Sequence, residues 1–162
     1  DQRAGSLLDA LERANGWATF YCTPEFMENN GDLLRRLAVS GSAVGLLLDP
    51  EDPAESLDQQ LKRGNDALYR ATLTRTRLVY ADGGEETLQA LEQLGYSCLT
   101  PSMDRADYKL ESSSNASTLM KRVSARRRDM SVWLGTTASA AGVKEFVSSA
   151  QREGHYCRAM TE

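Results

Sequence analysis

A chain of 162 residues and 17.8 kDa is long enough for one domain with a sizeable core and too short for two ordinary ones. Apolar residues make up 41% and charged residues 26%, as in globular chains, and the longest apolar run, Ala43 to Leu48, falls far short of a membrane span. The net charge of −4 argues against a nucleic-acid partner held by a general positive field, and a single histidine excludes a multi-histidine metal site. The opening Asp1-Gln2-Arg3, with no Met and no signal-peptide core, reads as the start of an excised or processed fragment.

The three cysteines, Cys22, Cys98 and Cys157, form no CxxC pair and are odd in number. Each sits in or beside an apolar, strand-like segment. Buried free thiols are the ordinary reading. Cys22, before Thr23-Pro24 at a helix start, is the one placed best for a reactive thiolate.

Ser6 reads as the cap of a first helix carrying Leu7, Leu8 and Leu11 and ending at Asn15-Gly16. Residues 17–22 read as a strand, and Thr23-Pro24 as the cap and first position of the next helix. After Asn29-Asn30-Gly31 comes a helix with Leu33, Leu34 and Leu37, stopping at Gly41. The continuous run Ser42 to Leu48 suits a strand buried on both faces. Asp52-Pro53-Ala54-Glu55 predicts the start of a helix whose stripe is Leu57, Leu61 and Leu68.

Arg77 to Ala81 is the third strand, followed by a helix with Leu88, Leu91 and Leu94 ending at Gly95, then a strand from Tyr96 to Thr100. The polar stretch Asp104 to Asn115 lacks periodicity and predicts a long loop. A helix near Ser117–Arg127 leads to a strand over Met130–Leu134. A last helix with Val143, Phe146, Val147 and Ala150 stops at Gly154, before a sixth strand over His155–Met160.

Six strands alternating with helices predict an α/β fold: a mostly parallel sheet, or a distorted or incomplete (β/α) barrel, as one domain over residues 1–162. In such folds chemistry sits where strands end. The positions to watch are Cys22–Thr23, Leu47–Asp52, Tyr80–Gly84, Pro101–Tyr108, Gly135–Thr137 and Thr161.

Several ordered segments then carry a resemblance. Trp17-Ala18-Thr19-Phe20-Tyr21 and the stretch Leu33 to Gly45 come first. Glu85-Glu86-Thr87-Leu88 follows, with Leu91, Leu94, Gly95 and Tyr96. After these come Met103-Asp104 with Asp107-Tyr108, then Val132-Trp133-Leu134 and Glu153-Gly154-His155-Tyr156. In order and spacing this set resembles the NodB-homology domain of the polysaccharide deacetylases, carbohydrate esterase family four. The resemblance implies the (β/α) barrel, a divalent metal held by one Asp and two His, an Asp base, a His acid, a glycan substrate, and an extracellular or cell-surface location.

The departures from that pattern point away from catalysis. The two metal-histidine positions fall on Leu47 and Glu51, and the acid His and its Asp on Gly135 and Thr136. The strand bearing the paired Asp would lie before or at Asp1. Of the family's RxPxG segment only Arg77 is kept, with Val79 and Ala81 in place of Pro and Gly. Leucine cannot ligate a metal and glycine cannot carry a proton. The expectation is a degenerate domain with no catalytic residues, no metal and no cofactor, acting as a carbohydrate-binding or cell-envelope interaction module. The alternative is an active deacetylase completed by residues before Asp1, or by a rebuilt carboxylate site at Asp49, Glu51 and Asp52.

Candidate ligand-binding residues are Arg77, Tyr80, Asp82, Asp104, Asp107 and Tyr108, a set of aromatic and charged groups of the kind a sugar cleft uses. Each has a plainer reading, as an internal ion pair for Arg77 and as ordinary loop residues for the others. Expected partners are a glycan or cell-wall polymer, with no nucleic acid and no membrane span, and a second copy of the chain through an open sheet edge. Lys121, Arg122 and Arg126–Arg128 form a basic helix end that the helix dipole explains. Gly83-Gly84 before a helix could cradle a phosphate, but Asp82 would repel it. His155 reads as structural, and no serine has a His in reach for a triad.

Overall fold

The computed structural model describes residues 2–99, 109–110, 113–125, 132–134 and 138–160. In chain order the elements are α1 (Gln2–Arg13), β1 (Thr19–Cys22), α2 (Pro24–Asn29), α3 (Gly31–Ser40), β2 (Ala43–Leu48), α4 (Leu57–Thr72) and β3 (Leu78–Ala81). They continue with α5 (Glu85–Gln93), β4 (Ser97–Leu99), β5 (Lys109–Leu110), α6 (Ser113–Ser124), β6 (Trp133–Leu134) and α7 (Ala140–Arg152). The fold is α/β, and every strand pair among the described residues is parallel.

The chain divides into two compact units, one of residues 18–100 with 159–162 and the other of residues 1–17 with 101–158. The first holds a four-stranded sheet in the order β1-β2-β3-β4, with Tyr21 opposite Gly45, Leu47 opposite Tyr80 and Val79 opposite Cys98. Because side chains alternate along a strand, Phe20, Cys22, Val44, Leu46, Leu48, Val79 and Ala81 share one face. That face packs against Met27, Leu34, Leu61, Leu68 and Leu91 from the four helices. Leu34, Leu46 and Val79 are fully buried, each contributing about 1.5–3 kcal/mol over exposure.

The second unit is built on helices. α7 packs against both α1 and α6, burying Leu8, Leu11, Leu119, Met120, Val143, Phe146 and Val147. Gly16 is a contact requirement here, since a Cβ would come 2.8 Å from Val147 Cγ1. Gln151 Nε2 donates to the carbonyls of Ala14, at 2.6 Å, and Asn15, at 3.0 Å, tying α7 to the end of α1. β5 and β6 pair over two residues, Lys109 with Trp133 and Leu110 with Leu134.

Several boundaries differ from expectation for local reasons. α1 begins at Gln2, so Ser6 lies inside it and its hydroxyl donates to Gln2 O at 2.8 Å instead of capping. α4 begins at Leu57, not at Asp52. Asp52 Oδ1 accepts from Ala54 N at 2.7 Å and closes a turn, while Ser56 and Gln59 form the reciprocal capping box that starts the helix. Residues 155–160 join no strand ladder. Met160 N instead donates to the Thr19 side chain at 2.8 Å, and Cys157 O accepts from Trp17 N at 3.2 Å. β5 and the first turn of α6 fall inside the stretch expected to be a loop, because two residues suffice for the β6 pairing and leave no periodicity to read. The six expected strands in one sheet are thus, among the described residues, a sheet of four and a sheet of two. The helix stops at Gly41, Gly95 and Gly154 are as expected, each with left-handed φ.

Candidate functional site

The C-terminal ends of β1 to β4 form the rim where a parallel sheet presents its chemistry. The loop after β2 is braced by its own side chains. Asp49 Oδ1 accepts from Glu51 N at 2.9 Å, and Asp52 Oδ1 holds Ala54 N, so two of its carboxylates brace main-chain turns.

Gln60, only 3% exposed on α4, clamps the same loop. Its Oε1 accepts from Asp49 N at 2.9 Å, and its Nε2 donates to Asp49 O at 2.8 Å and Glu55 O at 3.0 Å. Glu55 is held from its other side by Arg63 Nη1 at 2.6 Å. The sequence signal for Gln60 is a polar residue lying on the helix's apolar stripe.

The loop after β3 meets this one at Gly83. A Cβ there would lie 3.1 Å from Pro50 Cγ and 3.0 Å from Thr87 Cβ, so the two loops approach closely and a larger residue would have to push a neighbour aside by a few tenths of an ångström. Gly84 is the N-cap of α5 and gives no side-chain cap, and Glu85 and Glu86 fill the first turn. Those two carboxylates at a helix N-terminus disfavour a phosphate there.

Of the sequence-predicted ligand residues, Asp82 lies exposed at the rim, directly after β3. Tyr80 is 7% exposed and faces the ring of Tyr21 edge-on, with centroids 6.1 Å apart. Arg77 precedes β3 and its carbonyl accepts from Ser97 N at 2.7 Å, which puts it at the opposite end of the strand from Asp82. Five residue steps along the strand separate them by roughly 16 Å. Asp104, Asp107 and Tyr108 lie outside the described residues, as do Arg126–Arg128, Gly135 and Thr136. The structure therefore does not bring Arg77, Tyr80 and Asp82 into one cluster.

Tyr21 is the residue sequence reasoning passed over. Its ring crosses β2 at Gly45, where a Cβ would come within 2.5 Å of Tyr21 Cε1, and its hydroxyl lies 3.5 Å from Met160 Sδ. Burial, with the neighbouring Cys98, pushes the Tyr21 hydroxyl pKa up.

The thiols are free. Burial pushes Cys22 up to about 12 and also raises Cys157, while burial and Glu92 raise Cys98. Cys22 Sγ lies 3.7 Å from Phe20 O, so neither its surroundings nor its burial favours a thiolate. Among the described residues no three His, Cys, Asp or Glu side chains stand close enough to hold a metal ion. Leu47 is aliphatic, and Asp49 and Asp52 each turn one carboxylate oxygen to a main-chain amide.

The sequence matches no protein-family profile and no curated protein. The fold does have solved counterparts. The polysaccharide deacetylase Bc1974 from Bacillus cereus superposes over 100% of this chain and 87% of its own, with a TM-score of 0.76 at 16% identity. The fold is that of the polysaccharide deacetylases. The peptidoglycan deacetylase PdaC from Bacillus subtilis matches 98% of this chain and 81% of its own, with a TM-score of 0.71 at 19% identity. A third counterpart, BA3943 from Bacillus anthracis, is a carbohydrate esterase family four pseudoenzyme; it matches 98% of this chain and 59% of its own, with a TM-score of 0.70 at 14% identity. The deacetylase fold thus carries both active and inactive proteins. No helix among the described residues is long and apolar enough to cross a membrane.

Proposed function

We propose that this chain is a catalytically degenerate domain of the deacetylase fold that binds glycan at the cell envelope, as a single domain over residues 1–162. The observation that carries this reading is the loop after β2. Its Asp49 and Asp52 are engaged with main-chain amides beside Leu47, where the resemblance puts a metal-binding histidine. In the resembling enzymes a metal lowers the pKa of bound water and polarises the amide carbonyl, terms typically worth several kcal/mol each. An aliphatic side chain and two braced carboxylates supply neither. Gly135 and Thr136 at the acid positions, and Glu51 at the second metal position, support the same conclusion.

The proposed glycan contacts are Asp82 at the rim and, by sequence, Asp104, Asp107 and Tyr108; Arg77 contributes only to a separate surface, and Tyr80 supports the sheet from within. The peptidoglycan substrate named for one counterpart favours a cell-wall polymer over other glycans and an extracellular location. Self-association through an open sheet edge belongs to the same proposal, and sedimentation tests it.

The deciding experiment is acetate release from chito-oligosaccharides and peptidoglycan fragments, with metal analysis of the purified chain. The expected result is no release and no stoichiometric zinc, nickel or cobalt, with Leu47→His and Glu51→His together failing to rescue. Chelator-sensitive release would overturn the proposal. It would favour the second reading, an active deacetylase with a carboxylate site at Asp49, Glu51 and Asp52 or a site completed by residues before Asp1, which the likeness to active enzymes supports.

A further inference from the structure

Two asparagines in the chain precede a glycine, Asn15 before Gly16 and Asn30 before Gly31. Asparagine is chemically labile, and a following glycine, with no Cβ to shield it, leaves its nitrogen open to attack the asparagine side chain. The fold treats the two pairs differently.

Asn30 is tied down. It is the N-cap of α3, its Nδ2 donates to Phe26 O at 2.8 Å, and its carbonyl accepts from Leu34 N at 3.1 Å. Asn15 lies exposed past the C-terminal end of α1 with φ 51°, and its side-chain amide has no hydrogen-bond partner among the described residues. Only the main chain holds it. Asn15 O accepts from Gln151 Nε2 at 3.0 Å, and Gly16 N donates to Leu11 O at 2.9 Å. That last bond occupies the nitrogen that would react, so reaction requires the end of α1 to open locally.

We propose that Asn15-Gly16 is a site of spontaneous covalent modification gated by the packing of α1 on α7. The deprotonated Gly16 nitrogen attacks Asn15 Cγ and forms a C–N bond. The side-chain nitrogen leaves, taking up the proton as ammonia, and a cyclic imide remains. Water then opens the imide at either carbonyl, to aspartate or isoaspartate, and no oxidant or reductant is consumed.

Isoaspartate routes the main chain through the former side chain, so one carbon is added between residues 15 and 16. The carbonyl that accepted from Gln151 becomes a carboxylate at the negative end of the α1 dipole. Gly16 sits so close to Val147 that a Cβ would come within 2.8 Å, which leaves no slack for the longer linkage. The modified chain therefore holds α7 less firmly against α1.

The test incubates the purified full chain in mildly alkaline buffer, folded and in urea, and follows both sites by peptide mapping. In urea the two pairs should convert at similar rates. In the folded chain Asn15 should convert about fivefold or more faster than Asn30, yet slower than in urea. The product should carry the mass gain of an amide turned to an acid, with isoaspartate predominating. Gln151→Ala, which removes the ties to Ala14 O and Asn15 O, should speed Asn15 roughly threefold or more and leave Asn30 unchanged. Aged protein should unfold at a lower temperature than fresh protein, whereas aged Asn15→Gln should match its own fresh form. Conversion of Asn30 in the folded chain as fast as Asn15 would overturn the proposal. Equal Asn15 rates with and without Gln151→Ala would overturn the gate, and an aged chain as stable as the fresh one would overturn the effect on α7.

Discussion

The unit built on the four-stranded sheet and the unit built on α1, α6 and α7 bury side chains of the same kinds, yet they are specified differently. In the first, β1 to β4 share a continuous parallel ladder, so one register error would turn Leu46 and Val79 to the wrong face. In the second, strand pairing amounts to two residues on each side, and cohesion rests on helix faces and on side-chain ties such as Gln151 to Ala14 O and Asn15 O. A ladder constrains backbone and pattern together, whereas packed helices constrain chiefly the apolar stripe.

The largest effects should come from truncating each core in turn. Phe146→Ala in the helical unit should cost about 3–5 kcal/mol and Leu46→Ala in the sheet unit about 2–5 kcal/mol. If the chain is one cooperative domain, both variants lower one and the same thermal transition. Two transitions by calorimetry, each sensitive to only one of the variants, would separate the units thermodynamically and break the single-domain proposal.

A smaller effect is expected at the rim of the sheet unit. Gln60→Ala should cost about 1–3 kcal/mol, because the three hydrogen bonds that the buried Gln60 amide makes to the main chain of Asp49 and Glu55 are lost. Hydrogen exchange should rise first at the loop after β2 and leave α7 protected. Exposure spread evenly over both units would show that the clamp is not local.

Below that lies the capping test. Ser56→Ala should cost about 1 kcal/mol, and Asp52→Ala distinctly less, since the helix begins after Ser56. Chemical denaturation measures both, and the reverse ranking would restore the helix start at Asp52.

Near neutral pH the smallest effect belongs to Cys22. Burial raises its folded pKa from 9.0 to about 12, so the neutral thiol's contribution is fully present below pH 9 and is lost as pH rises towards 12. Cys22→Ser should flatten that alkaline decline in stability. Rapid thiol labelling of Cys22 at pH 8 in the folded chain would contradict its burial.

Much of the sheet unit was legible because its signals are local and repeated. Thr23-Pro24, the run from Ala43 to Leu48, and the Leu-rich stripes before Gly41 and Gly95 each state an element and its end. The helical unit was legible only in its helices. β5 has two residues and no pattern, and residues 155–160, though apolar enough for a strand, meet β1 through the Thr19 side chain rather than a ladder. At the candidate site the type of rim residue was readable and its neighbours were not. Asp82 falls at the strand end as expected, whereas Arg77 and Tyr80 are placed by the direction and pleat of β3, which no spacing in the sequence reveals.

The amino-acid sequence by itself determined the α/β alternation, the parallel character of the pairing and the free thiols. These follow from periodicity, turn chemistry and residue identity, which act over a few neighbouring positions. The tertiary structure alone decided that Gln60 clamps Asp49 and Glu55, and that Gly45 and Gly83 exist for the Tyr21 ring and the Pro50 loop. It also brought Arg75, beyond the end of α4, within 3.8 Å of Asp66 on that helix. Such contacts depend on which surfaces meet when the helices cover the sheet, and close packing makes each of them specific to a few tenths of an ångström, a scale on which a linear pattern carries no information.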